Sequence, residues 1–427
     1  MDDALARRLP RPSAKRMAVR VTPDAERQIR GGHPWLFDSS ITSSSHHGDP
    51  GDLAVVFDRR RAFVAIGLFD PTSPLRVRIL HQGRPTPIDT AWWRSRLTTA
   101  LSLRTPLVES AGTTGLRLVN GENDGFPGLV VDRYDNVLVL ALYTTAWIPH
   151  LATVIPLLVE LVGPRSIVVR LSRLVRAQEC HGLTDGMTIH GDVVAEPIRF
   201  LENGLRFEAD VVRGQKTGHF LDQRDNRAIV RSLAAGVTVL DVFSCTGGFS
   251  VHAAAGGATA VRAVDVSPHA LAAVAKNFEL NSDLPAVAAL QPDTVQGDAF
   301  EVMATLADRG DRYGMVIIDP PSFAKRQSDV ADALRAYRRL TGAALELVSP
   351  GGVLVQASCS SRVTTDQFFD AVHAGSIDAR VELYDVETTG HALDHPISFP
   401  EGAYLDAVIA RVRPVPGPAP QRVRRSR

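Results

Sequence analysis

From Val237 onward, apolar runs of strand length alternate with segments of helix length, and this alternation restricts the fold of the 427-residue chain more than any other feature. Val237 to Phe243, Val261 to Val266, Gly314 to Asp319 and Gly352 to Ser358 read as strands. Gly248 to Ala255, Ser267 to Leu280 and Val330 to Leu347 read as helices, the second with Ser267 as N-cap and Pro268 in its first turn. Two further strands are expected near 379 to 386 and 403 to 411. A run such as Met315-Val316-Ile317-Ile318 has no polar face, so it must be covered on both sides. The pattern predicts an α/β fold with a doubly wound, mainly parallel sheet, whose ligand lies at the carboxyl ends of the strands.

Those strand ends carry acids. The first leads into Asp241-Val242-Phe243-Ser244-Cys245-Thr246-Gly247-Gly248, where paired glycines let the backbone approach a ligand closely and Asp241 can meet a positive charge. This is not G-x-G-x-x-G, so a pyrophosphate is not indicated. Asp265 ends the second strand, where a carboxylate can hold both hydroxyls of a ribose. Asp298 follows a third expected strand and is placed to contact an adenine amino group. Any one of these acids alone would serve equally as a turn or cap residue. Together they suit a ligand with cationic groups and a ribose, which points to S-adenosylmethionine.

The preceding half is organised differently. Leu53 to Phe57, Phe63 to Leu68 and Leu75 to Leu80 are short strands of a small β domain, with Thr42 to Gly51 as a loop. Leu129 to Val131, Val137 to Leu142 and Ser166 to Leu171 read as strands and Ala146 to Leu161 as a helix, giving a compact α+β unit with no evident site. Ile198 to Val212 reads as a hairpin.

The chain resembles the bacterial 23S rRNA cytosine-C5 methyltransferases, class I S-adenosylmethionine-dependent enzymes with an N-terminal PUA domain. Gly32-His33-Pro34-Trp35-Leu36-Phe37 and Gly51-Asp52-Leu53 carry the likeness in the first domain. Asn120 to Gly128 carries it in the middle, and Lys216-Thr217-Gly218-His219-Phe220-Leu221-Asp222-Gln223-Arg224 is specific to the family. The resemblance implies a PUA-like RNA-binding domain over 1–85, a central α+β domain over 86–195 and a class I methyltransferase domain with its leading hairpin over 196–412. A basic, disordered tail over 413–427 completes the expected organisation. It further implies that Lys216, Thr217, Phe220, Asp222, Gln223 and Arg224 border the cofactor pocket, together with Asp241, Phe243, Ser244, Thr246, Gly247, Gly248, Asp265 and Asp298. The segment Arg170 to Leu183 matches the family only loosely.

Two motifs bear on the reaction. Asp319-Pro320-Pro321-Ser322-Phe323 ends the fourth strand and offers a rigid turn that can grip a planar base, with Pro320, Pro321 and Phe323 as substrate contacts. Ser358-Cys359-Ser360 ends the fifth. C5 of cytosine is too poor a nucleophile to take a methyl group unaided, and addition of the Cys359 thiolate at C6 would make it enamine-like. Asp319 is the expected contact to the N3/N4 edge of the base. The bland alternative for Cys359 is a small buried residue. Ser322 stands where other RNA cytosine-C5 methyltransferases have a second cysteine, so the final proton acceptor is unassigned. Two competing functions follow from the same residues: purine N-methylation of rRNA through the Asp-Pro-Pro motif, and an RNA-binding ribosome assembly factor without catalysis.

Composition narrows the setting. Three cysteines allow neither a disulfide framework nor a four-cysteine zinc site, no metal is expected, and a reducing compartment is the default. No apolar stretch reads as a membrane span of about 20 residues, so a cytoplasmic protein is expected. The expected partner is 23S rRNA or an assembling large subunit, with an isologous homodimer as the assembly to test for. The formal net charge is zero, yet residues 1–85 hold 14 Lys/Arg against nine Asp/Glu, and 411–427 hold six Arg and no acid. The basic surface for a polyanion must therefore be local.

Overall fold

The structure is a computed structural model and describes residues 3–110, 112–214 and 216–415. The described residues form two compact units, one within 3–224 with 391–403, the other of 225–390 with 404–415.

In the second unit, β14 to β20 denote Thr238–Val242, Ala260–Asp265, Asp293–Gln296, Tyr313–Ile318, Val348–Ser358, Val381–Thr389 and Asp406–Pro414. Their order in the sheet is β16-β15-β14-β17-β18-β20-β19. The first five are parallel, and β20 inserts antiparallel between β18 and β19. Order reverses beside β14, which opens a crevice at the carboxyl ends of β14 and β17. Leu240, Val242, Val316, Ile318 and Leu354 pack with Met303, Leu340 and Ala344 from covering helices. The expected doubly wound sheet is thus present. Its last strand runs to Pro414, three residues beyond the expected end, so the tail cannot start at 413. Residues 416–427, which hold most of the expected basic tail, lie outside the described residues.

The first unit opens with β1 to β6, Met17–Val21, Trp35–Phe37, Ile41–Ser44, Leu53–Phe57, Phe63–Phe69 and Leu75–Gln82. They form one sheet in the order β2-β6-β5-β4-β1-β3. Part of the expected loop is strand, because Ile41, Ser43 and Ser44 pair with β1 and shield that edge of the sheet. Strands β7 to β11, Gly115–Asn120, Leu129–Tyr134, Val137–Leu142, Ser166–Leu171 and Thr188–Gly191, form a second sheet in reverse order. The hairpin of β12 (Ile198–Glu202) and β13 (Leu205–Ala209) belongs to this unit.

One expectation about apolar segments needs correcting. Thr145–Val162 is long and apolar enough by composition to cross a membrane, but 61% of it is buried. It is a core element: Trp147, Ile148, Leu151, Val154 and Leu158 pack with Trp93, Phe126 and Leu140. A helix facing a sheet along its length becomes apolar for the same reason a spanning helix does.

Residues 391–403 join the first unit through buried charge. Asp394 accepts two 2.9 Å hydrogen bonds from Arg224 and one from the Arg117 backbone N–H, while its carbonyl accepts from Arg104. Although burial favours the neutral acid, His395 and Arg224 hold the Asp394 carboxyl well below the ordinary carboxylate range.

Candidate active site

The loop after β14 departs from ordinary backbone at three positions. Phe243, Cys245 and Gly247 have φ of 64°, 47° and 78°, and positive φ at two non-glycine residues marks stored strain of the kind found at binding sites. A Cβ at position 247 would also lie 3.0 Å from Val274, which together with the positive φ favours glycine there. Neighbours hold the loop. The Cys245 N–H donates to Asp265 Oδ2 at 3.0 Å, and buried Asn277 donates from Nδ2 to the Thr246 carbonyl at 2.8 Å.

Asp241 is fully buried beneath this loop. Ser250 Oγ donates to its Oδ2 at 2.6 Å, whereas Oδ1 has no hydrogen-bond partner among the described residues, and neither does the buried Ser244 Oγ. Burial pushes the Asp241 carboxyl up to about 7, the hydrogen bond from Ser250 opposes this, and the nearby charge of Asp319 adds to it. An orphaned carboxylate oxygen is costly unless a ligand completes it. These groups fit a cationic ligand, with Asp241 and Ser244 as the incomplete partners. Asp265 spans the Cys245 and Ser267 backbone N–H groups with its two oxygens. Asp298 Oδ1 caps the helix Ala299–Asp308 by accepting from the Phe300 and Glu301 N–H groups.

Across the crevice, β17 and β18 bring the two short motifs together. The Cys359 thiol lies 3.5 Å from the Pro320 carbonyl, so it faces the turn that carries Asp319. Ser360 is the tie between them. Its Oγ accepts from the Phe323 N–H at 3.2 Å and lies 3.3 Å from Ser322 Oγ. Buried Tyr337, from the helix Val330–Leu345, sets its hydroxyl 2.8 Å from Ser360 Oγ and accepts from Ser358 Oγ at 2.9 Å. The Phe323 ring packs on Tyr337 at 5.2 Å. Tyr337, Ser360, Ser250 and Asn277 were not singled out from sequence. Ser360 flanks Cys359 and Ser250 sits in the glycine loop, but nothing local marks Tyr337. Replacing Tyr337 with Phe is expected to leave two serine hydroxyls short of a partner and to cost about 1–3 kcal/mol, measured as a shift in the urea midpoint.

The other cysteines are placed otherwise. Burial pushes the Cys245 thiol up to about 11, so it stays protonated near neutrality and is a poor nucleophile. Cys180 donates to the Val175 carbonyl at 3.2 Å.

The Lys216 to Arg224 segment falls in the first unit. Lys216 adopts φ 50°, sits 4.2 Å over the Phe220 ring and lies 3.5 Å from Asp222. Thr217 Oγ1 donates to Asp132 at 2.6 Å, and Gln223 is buried. Arg224 places its guanidinium on Asp394.

Comparison with known proteins identifies the family. The family model described as S-adenosylmethionine-dependent methyltransferase matches residues 129–400, and a PUA-like domain model matches 19–82. A Deinococcus radiodurans protein named Ribosomal RNA large subunit methyltransferase is 47% identical, over 94% of this chain and 99% of its own length. Ribosomal RNA large subunit methyltransferase I of Shewanella frigidimarina is 36% identical, over 93% of this chain and 100% of its own. A solved methyltransferase structure from Streptococcus mutans shares the fold with a TM-score of 0.77 at 21% identity, covering 92% of this chain and 99% of that one. With the reversal of strand order beside β14 and the incomplete acid beneath its glycine loop, these matches show that the chain belongs to the S-adenosylmethionine-dependent methyltransferases, carries a PUA-like domain and uses S-adenosylmethionine.

Proposed function

We propose that the protein methylates C5 of a cytosine in large-subunit ribosomal RNA through a covalent adduct with Cys359. The observation that carries this reading is the Cys359 thiol seated 3.5 Å from the Pro320 carbonyl, against the Asp-Pro-Pro turn at the carboxyl end of the neighbouring strand. Purine N-methylation needs the turn but gives that thiol no task. The names of the two relatives support ribosomal RNA as the substrate.

Asp241 and Ser244 would take the cationic methionine end of the cofactor, Asp265 its ribose and Asp298 its adenine. When bound, S-adenosylmethionine supplies a methyl group activated by a sulfonium. Cys359 forms a sulfur–carbon bond to C6 of a cytosine turned out of its stack, while Asp319 holds the N3/N4 edge. C5 then takes the methyl group. Removal of the C5 proton by a base restores the ring double bond and breaks the sulfur–carbon bond, expelling Cys359 as a thiolate. Pro320, Pro321 and Phe323 frame the base.

Nucleoside mass spectrometry of rRNA from deletion and complemented cells tests the assignment. One 5-methylcytidine should vanish on deletion and return on complementation. Loss of a methylated purine with every 5-methylcytidine intact would refute it.

A further inference from the structure

The central sheet of the first unit contains a cavity of which the resemblance assigns only one lining residue, Lys216, to the cofactor. Strands β9 and β10 of that sheet run parallel, joined by the crossover helix Leu151–Val162, and the cavity, of about 240 Å³, opens where both strands end. Crevices outside the carboxyl ends of parallel strands are where open α/β sheets place ligands. Arg170, Arg173, Arg176 and Lys216 line this cavity against a single carboxylate, Asp185, among the described residues.

The four cations are not equivalent. Arg170 is fixed from three sides, donating to Asp185, to the Val211 carbonyl and to the Gly214 carbonyl. It anchors the wall and lends charge. Arg176 is half exposed and lies 3.5 Å from Asp185, Lys216 is shared with Asp222, and Arg173 is exposed. At the rim Tyr143, the residue immediately after β9, is 49% exposed. A basic cleft with an exposed aromatic ring is how proteins hold a single nucleic-acid strand, with cations along the phosphates and the ring under a base. Arg170, Arg173 and Arg176 fall in Arg170 to Leu183, which matches the family only loosely.

We propose that this cavity binds the phosphate backbone of a single RNA strand through Arg173, Arg176 and Lys216, with a base stacked on Tyr143. The inference rests on RNA being the substrate and adds where a strand is gripped outside the catalytic crevice. A charged peptide would use the cations but not the ring, and no acidic region of the cavity favours a cationic partner.

The test uses the full chain and a fluorescent, unstructured single-stranded RNA of mixed sequence, with anisotropy followed across a salt series. Each phosphate contact to a single strand contributes about 0.7 to the slope of log affinity against log salt. Arg173→Ala with Arg176→Ala should lower that slope by about 1.4 and weaken binding roughly tenfold near 0.15 M salt. Arg173→Lys with Arg176→Lys should restore the slope. Tyr143→Ala should weaken binding at least about fivefold with the slope unchanged. Calorimetric affinity for S-adenosylmethionine should stay at the wild-type value in all variants, which separates a lost RNA contact from misfolding. Unchanged affinity and slope in the double alanine variant would overturn the proposal, as would displacement of the RNA by polyglutamate as readily as by unlabelled RNA. Transfer of methyl groups to rRNA by the wild-type protein is measured in parallel: transfer with an unaltered slope removes the site and leaves the function, whereas absence of transfer removes the function.

Discussion

Cys359→Ala is expected to reduce methyl transfer to RNA by at least about a thousandfold, or about 4 kcal/mol of transition-state stabilisation, while S-adenosylmethionine binds as before. The size follows from the chemistry: without addition at C6, C5 of cytosine has no means of becoming a nucleophile, and no neighbouring group replaces the thiol. Cys245 stays protonated through burial. The adjacent serines are committed to Tyr337 and to each other. Cys359 is only partly buried, so truncating its side chain leaves little cavity behind. Initial rates with radiolabelled cofactor, paired with calorimetry, check both halves. Purine methylation would leave the rate close to wild type.

The second large effect concerns Asp241 and has opposite signs with and without cofactor. Its folded pKa near 7 lies above the ordinary carboxylate value, because burial disfavours the charge. Between about pH 4 and 7 the folded protein therefore binds more protons than the unfolded chain, and stability falls as pH rises through that window. Asp241→Asn removes this cost. The cofactor-free variant should melt higher than wild type at pH 8, with the difference gone by pH 4. The same substitution should weaken S-adenosylmethionine binding at pH 8 by about 2–3 kcal/mol, roughly 30- to 150-fold, because the buried anion meant for a cationic ligand is gone. In the wild type, affinity should decline as pH falls below 7. A variant that binds the cofactor normally, or that is less stable at pH 8, would remove Asp241 from the site.

Strand placement could be read from the chain because each apolar run was short, uninterrupted and flanked by turn residues. Ser166–Leu171 and Val137–Leu142 have the bounds expected of them. Thr42 to Ser44 was harder, since serine and threonine runs carry no apolar period, and only pairing with β1 makes them strand. The apolar character of Thr145–Val162 shows the reverse difficulty, a segment whose meaning depends on what covers it. At the site, acids at strand ends were visible because the sheet's periodicity puts them there. The ties that position them were not. Tyr337 and Asn277 reach the site from helices, over sequence distances of 23 residues to Ser360 and 31 to Thr246, and short motifs hold no record of such contacts. The excursion at 391–403 is likewise invisible until Asp394 meets Arg224, 170 residues away.

The covalent step itself can be caught. In RNA carrying 5-fluorocytidine, C5 holds a fluorine that cannot leave as a proton, so the bond from sulfur to C6 should persist after methyl transfer. Incubating the wild-type protein with such RNA and S-adenosylmethionine, then digesting and weighing the peptides, should yield a cytidine adduct on Cys359 carrying one added methyl group. An adduct on a different residue, or efficient methylation of unmodified RNA with no adduct from the fluorinated strand, would contradict the mechanism.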